Sequence, residues 1–256
     1  MARIFISGSA DGLGFMAGQW LLARGHDVTF HVRSIGRADD LKRRLNHQSN
    51  IVIGDVSTIA AMRDVAAQVN RIGAHDAVIH NVAIGYQEPK REETADGLSK
   101  LFAVNTLAPY LLTALIEKPR RLIYLSSGLH RSGAADVSDL QWTRRRWTGM
   151  QAYADSKLQD CWLAFAMARR WPDVLSNALE PGWVATRMGG PGAPDDLAKG
   201  AETQAWLAVS DDPAAKVSSE YFFHQKKKAV SASARREDLQ DALMKYCEVL
   251  TGVTIV

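Results

Sequence analysis

Short runs of apolar and β-branched residues alternate along the chain with longer stretches in which apolar positions recur every three or four residues. The runs are Arg3–Ser7, Asp27–Val32, Asn50–Ile53, Asp76–Asn81, Arg121–Ser126, Leu175–Glu180 and Tyr221–His224. Their lengths suit buried strands. The stretches near Phe15–Arg24, Ala38–Leu45, Ile59–Arg71, Leu98–Ile116, Tyr153–Arg170 and Ala198–Val209 suit helices. Such alternation predicts a doubly wound α/β fold. Right-handed crossovers give a single parallel sheet in the order 3-2-1-4-5-6-7 with helices on both faces. The pattern contains no linker, repeat or low-complexity segment, so residues 1–256 are expected to form one domain. Residues 128–150, 187–200 and the last thirty are the least regular, and the first two are expected to be substrate-side loops.

Composition narrows the function. The chain has 256 residues, 46% hydrophobic and 23% charged, as ordinary globular proteins do. A formal charge of +3 is too small to argue for nucleic acid or a membrane surface. Cys161 and Cys247 have neither CxxC nor metal-ligand spacing, so no metal site is expected. No apolar run approaches the ~20 residues of a membrane span. The first strand starts almost at Met1, leaving no room for a signal peptide, and a cytoplasmic location is expected.

Ligands of a doubly wound sheet bind outside the carboxyl ends of its strands. Three glycines, Gly8, Gly12 and Gly14, fall on the turn between the first strand and the first helix. Glycine there permits positive φ and close backbone approach, and the helix start favours an anion. The string suits a phosphate, although a Gly-rich connection without a ligand has the same composition. The second strand ends in Arg33, nineteen residues after Gly14, with Arg37 close by. An Asp or Glu at that place would accept from the ribose hydroxyl of NAD, whereas a guanidinium matches a phosphate. NADP(H) is therefore expected; a solvated strand-end charge is the plainer alternative. Asp55, at the end of the third strand, suits the adenine amino group or a turn.

Tyr153 and Lys157 lie four residues apart at a helix start and so share a face. A free phenol has a pKa of ~10, and a neighbouring ammonium lowers it. The pair can supply a tuned general acid or base. Ser127 ends the fifth strand, where a hydroxyl can hold a substrate oxygen. Asn105 is a polar residue in an apolar helix and must be hydrogen-bonded there, either to a distorted backbone or to a water that relays protons.

Together these residues resemble the short-chain dehydrogenase/reductase family. The resemblance rests on Gly8-x-x-x-Gly12-x-Gly14, Asn105, Ser127 and Tyr153-x-x-x-Lys157, and covers roughly residues 2–225. It implies a Rossmann fold and a catalytic tetrad of Asn105, Ser127, Tyr153 and Lys157. Tyr153 would exchange the proton, Lys157 would lower its pKa and hold the nicotinamide ribose, Ser127 would stabilise the reacting oxygen, and Asn105 would hold the relay water. Gly8, Ser9, Asp11, Gly12, Leu13, Gly14, Arg33, Asp55, Val56 and Asn81 would line the cofactor. So would Tyr153, Lys157 and, from "EPGWVAT", Pro181, Gly182, Val184 and Thr186. Where the family usually reads Asn-Asn-Ala-Gly, this chain reads His80-Asn81-Val82-Ala83, which puts the local backbone in doubt.

Ser127 and Tyr153 are 26 residues apart, more than is common in the family. That layout resembles retinol-dehydrogenase-like and protochlorophyllide-reductase-like members, which act on bulky apolar carbonyls or ring systems. Trp142, Trp147, His130 and Trp183 are candidate pocket residues; packing on the body of the protein would also account for them. Arg144–Arg146 and Lys226–Lys228 read as solvated faces. The expected activity is hydride transfer between NADP(H) and a lipophilic ketone, aldehyde or secondary alcohol. The alternatives are a non-catalytic NADP-binding sensor and, on the long insert alone, a photochemical or ring-reducing enzyme. Apolar residues on more than one face of the helices at 98–116 and 153–170 suggest a homodimer or homotetramer, because the family often pairs these helices between subunits.

Overall fold

The computed structural model describes residues 1–45 and 49–255. Eight strands form one sheet in the order β3-β2-β1-β4-β5-β6-β7-β8. They are β1 (Arg3–Ile6), β2 (Asp27–Val32), β3 (Asn50–Ile53), β4 (Ala77–His80), β5 (Arg121–Leu125), β6 (Leu175–Glu180), β7 (Tyr221–Phe223) and β8 (Lys226–Lys227). The first seven pair in parallel, as expected from their apolar runs. The eighth is antiparallel and was not expected. His224 and Gln225 both take positive φ, the backbone of a two-residue hairpin, and turn the chain back on β7. Its exposed lysines suit an edge strand, since they discourage further pairing. Part of the basic run 226–228 is therefore a sheet edge, and Lys227 pairs with Glu220 at 2.8 Å.

Side chains alternate across the sheet with period two. Ile4 and Ile6 face a core shared with Phe15 and Leu21 of α1 (Gly12–Leu22), Leu41 of α2 (Ile35–Arg44) and Ala205 of α7 (Leu197–Val209). Phe5 faces the opposite core, built by α3 (Ile59–Ile72), α5 (Ala108–Leu115), α6 (Gly149–Arg170) and α8 (Glu237–Thr251). The expected helix 98–116 is broken. A short α4 (Lys100–Phe102) passes through a π-helical turn, Ala103–Leu107, into α5, and Asn105 sits in that turn. Such single turns concentrate at functional sites.

The last thirty residues, expected to be irregular, contain α8. Leu239, Leu243 and Cys247 repeat at a spacing of four and are buried with Met244. Acidic residues occupy the first turn, favourable at a helix N-terminus, and Gly252 ends the helix at φ +67°. α8 packs on α6 and α5, and the segments flanking it are tied to the same helices: Tyr110 donates from its hydroxyl to Val253 O at 2.6 Å, and Trp162 Nε1 donates to Ser233 O at 2.9 Å. The apolar faces that suggested a subunit contact are thus covered within the chain. Burial of Leu239, Leu243 and Met244 contributes roughly 1.5–3 kcal/mol each. No helix among the described residues is long and apolar enough to cross a membrane.

α8 occupies part of the face of α5 and α6 that a second chain would meet. Sedimentation velocity is expected to show one species near the 28.1 kDa chain mass. A stable dimer or tetramer would contradict this account of α8.

Candidate active site

The glycine turn is tied down from beneath. Gly8 has φ +64°, and a Cβ there would stand 2.8 Å from Val82 Cα. A Cβ on Gly14 would stand 2.5 Å from Asn81 Nδ2. Asn81 uses that nitrogen to donate to Ser7 O at 3.1 Å and Gly8 O at 2.8 Å. Gly8 N–H donates to Nδ1 of buried His31 at 2.9 Å. Nδ1 is therefore the acceptor, so Nε2 carries the proton and donates to Gly54 O at 2.9 Å. Burial lowers the pKa of His31, consistent with a neutral ring. His31 was not singled out from the sequence, because its partners lie 23 residues away on both sides.

Ser9, Gly12 and Leu13 complete the turn into α1, and Ser9 spends its hydroxyl on Ile6 O at 2.9 Å. Asp11 precedes α1 and forms an ion pair with Arg37. Arg33 is exposed at the end of β2. Asp55 is exposed and accepts from Ser57 N–H at 3.1 Å, the turn contact that its position also allowed. Val56 beside it is buried.

Tyr153 and Lys157 lie near the start of α6, which Thr148 caps by accepting from Gln151 N–H. Tyr153 is only 7% exposed. It packs with Leu101, Trp142 and Ala152 in a cluster that also includes Tyr86, Leu129, Trp147 and Met188. The Tyr86 ring meets it edge-on, with centroids 5.7 Å apart. Lys157 Nζ stands 5.6 Å from the Tyr153 ring centroid and donates to Leu125 O at 2.9 Å and Asp160 Oδ2 at 2.8 Å. The sequence suggests a lowered phenol pKa; the structure reverses that direction. Burial raises it first, Lys157 pulls it down, Asp160 pushes it up again, and the Ser127 hydroxyl lowers it by hydrogen bonding. The net shift is upward, because a phenolate in this apolar cluster loses its hydration.

Ser127 also accepts from Leu129 N–H at 3.2 Å, capping a turn that leads into the insert. Asn105 accepts from Ile84 N–H at 2.8 Å and donates from Nδ2 to Ile84 O and Ser156 Oγ, both at 3.1 Å. It splints the loop after β4 to α6, the backbone role that its burial allowed.

The insert 128–150 folds back on this site. Asp139 is its anchor: burial opposes ionisation, but the N–H groups of Thr143, Arg145 and Arg144 hold its pKa down at about 2. Trp142 is buried at φ +56°, with the Arg145 guanidinium 3.9 Å over its ring. Trp147 meets it edge-on at 5.7 Å and donates to Glu88 O at 3.0 Å. Both tryptophans thus share the Tyr153 cluster. His130 is fully buried, with Ser127 O 2.7 Å from Nδ1 and Ser231 N–H donating to Nε2 at 3.2 Å. Those contacts serve packing.

Across the mouth, the loop from Pro181 to Asp196 is closed by Asp195, which accepts from Trp183 N–H at 2.6 Å while Gly182 takes φ +89°. Val184 pairs with Asp195 in a short bridge. Thr186 Oγ1 accepts from Gly189 N–H at 3.3 Å. Trp183 remains 56% exposed. Met188 reaches Gly85, where a Cβ would be 2.9 Å from Met188 Cγ, and accepts at its carbonyl from the Tyr86 hydroxyl at 3.4 Å. Tyr86, Met188 and Asp195 escape a motif reading because their contacts reach across the chain, and Asp160 because a pair three residues apart on a helix is common on surfaces. Among the described residues no group of three His, Cys, Asp or Glu side chains is placed to hold a metal.

The chain matches known proteins over almost its whole length. Residues 8–219 fit a family model described as enoyl-(acyl carrier protein) reductase. The short-chain dehydrogenase chyC of Penicillium rubens is 37% identical over 259 aligned positions, covering 100% of this chain and 99% of that one. Human retinol dehydrogenase 13 is 28% identical over 98% of this chain and 84% of its own. Among solved structures, an uncharacterised protein from Mycobacterium paratuberculosis superposes with a TM-score of 0.86 at 23% identity, covering 100% and 95% of the two chains. A blue fluorescent protein from a metagenomic library, in complex with NADPH, gives 0.69 at 19% identity, covering 92% and 98%. Both structures share the Rossmann architecture found here. With the family model spanning most of the chain and a relative matching it end to end, the protein is an oxidoreductase of the short-chain dehydrogenase/reductase family.

Proposed function

We propose that the protein is an NADPH-dependent reductase of a lipophilic ketone or aldehyde, running in reverse as a secondary-alcohol dehydrogenase. The observation that carries this reading is the Tyr153 phenol, set beside Ser127 and Lys157 and walled by Tyr86, Trp142, Trp147 and Met188. An apolar wall with few polar groups suits a lipophilic substrate. A phenol kept protonated at neutral pH suits a proton donor, which reduction needs. A cofactor-responsive sensor needs no buried phenol.

The residues present fit a dinucleotide. A helix's first N–H groups have no partner within the helix, and those of α1 follow a turn in which Gly12 takes φ +55° with no atom within 4 Å of an added Cβ. Gly8–Gly14 would hold the pyrophosphate, Asp55, Val56 and Asn81 the adenosine side, and Lys157 with Pro181–Thr186 the nicotinamide side. Arg33, exposed and without an acidic partner among the described residues, suits a 2′-phosphate, while Arg37 is shared with Asp11. A bound dihydronicotinamide supplies the hydride. Ser127 then holds the carbonyl oxygen, Tyr153 gives it a proton, and the aromatic wall excludes water.

Tyr153→Phe is expected to lower NADPH-dependent reduction of a carbonyl panel by ~10²-fold or more, the scale of lost general acid catalysis. Its affinity for NADPH in calorimetry should stay close to that of the wild type. A folded Tyr153→Phe protein that reduces as fast as the wild type would return the sensor or another acid to favour.

Arg33→Asp is expected to weaken NADPH about tenfold or more while sparing NADH, given ~1.5–3 kcal/mol for a hydrogen bond to a charged group. Equal wild-type affinity for NADH and NADPH would overturn the choice of NADP(H).

A further inference from the structure

Tyr153, Lys157 and Asp160 follow one another at i, i+4 and i+7, a single stripe of α6. The Lys157 and Asp160 side chains are each only 3% exposed and lie 2.8 Å apart. The second bond from Lys157 Nζ, to Leu125 O, fixes the ammonium at the end of β5. An unpaired ammonium at this depth would act on the phenol with little screening. A carboxylate in contact with that ammonium turns a charge into a short dipole. We propose that Asp160 is a positioning residue: it holds Lys157 in place and cancels the ammonium's charge at the Tyr153 phenol. The inference rests on the reductase reading for its purpose, which is to keep the proton on Tyr153 until a carbonyl takes it.

Arg145, whose guanidinium lies over the Trp142 ring of the Tyr153 cluster, is committed to Asp139 and Asp155. α6 itself contributes Cys161, whose thiol burial pushes up to about 12 and which donates to Ser126 Oγ. β5 contributes Tyr124, raised by burial and stacked on neutral His80 of β4, with centroids 4.6 Å apart. Tyr86 faces Tyr153 from the loop after β4, and Tyr221 lies on β7. Glu180, at the end of β6, is taken by Lys228 at 2.5 Å. His130 is lowered by burial. Lys157 and Asp160 are thus the opposed charges that act on the Tyr153 phenol. Burial pushes the Asp160 carboxyl up, Lys157 pulls it down through its charge and hydrogen bond, and the 2.8 Å contact between the two is that of an ion pair.

The test is an NMR pH titration of protein carrying 13Cζ-labelled tyrosine, with the Tyr153 signal identified by its loss in Tyr153→Phe. Asp160→Asn is expected to move the Tyr153 midpoint down by about one unit or more, since an uncompensated opposite charge then faces the phenol. Asp160→Glu, which keeps the charge, should restore the wild-type midpoint. An Asp160→Asn midpoint equal to or above that of the wild type would overturn the proposal. If Asp160→Asn does not fold, Asp160→Ser, which also removes the carboxylate and keeps Lys157, carries the same comparison. Its midpoint must again fall below that of the wild type, and an equal midpoint overturns the proposal. Wild-type protein inert toward every carbonyl, with the Asp160 shift intact, would support the role of Asp160 and overturn only the reductase reading.

Discussion

Helix α6 is buried without a break from Ala152 to Met167, yet it carries Asp155, Ser156, Lys157, Gln159 and Asp160 within that span. An unpaired charge at such depth costs roughly 3–5 kcal/mol. Every polar side chain of the stretch therefore needs a partner, and those partners organise the site. Asp155 accepts from Ala134 N–H, Gln151 and Arg145, which pins the insert against the helix. Ser156 takes Asn105, which in turn splints the loop after β4. Gln159 accepts from Thr106 Oγ1 at 2.6 Å, next to Asn105 in the same π-helical turn. Lys157 takes Asp160 and the end of β5.

The burial itself comes from elements far apart in sequence. The sheet covers one side of α6 and α8 covers another, while the phenol near the start of α6 is enclosed by Leu101, Trp142, Tyr86, Leu129, Trp147 and Met188. A phenol with a raised pKa is in its protonated form at neutral pH, so the proton is present when a far more basic alkoxide develops. The same environment would resist the reverse reaction, which requires the phenolate. The aromatic cluster around Tyr153 leaves the residue only 7% exposed; under the proposed reading the same side chains would meet a lipophilic substrate.

What was legible in the sequence followed from local rules. Glycines on a strand-to-helix turn, Tyr153 and Lys157 on one helix face, and alternating apolar runs each announce themselves within a few residues, and the fold came with them. Asp160 lies three residues from Lys157, and in sequence such a pair reads as a common surface ion pair; only the burial of α6 changes its meaning. β8 is two residues long, too short for any periodicity, and depends on positive φ at His224 and Gln225. The pattern of α8 was present in Leu239, Leu243 and Cys247 but stood between charged neighbours at the end of the chain. The place of Trp142 depends on a positive φ and on the Asp139 anchor, neither of which shows in composition.

The central claim is that a protonated Tyr153, insulated by α6 and balanced by the Lys157–Asp160 pair, delivers the proton for carbonyl reduction. The most direct measurement is the single-turnover rate of NADPH-dependent reduction of one active ketone between pH 6 and pH 10. The account predicts a level rate through neutral and mildly alkaline pH, declining only near or above the ~10 of an ordinary phenol. A decline with its midpoint near pH 7 would show a phenol already ionised under ordinary conditions and would contradict the account.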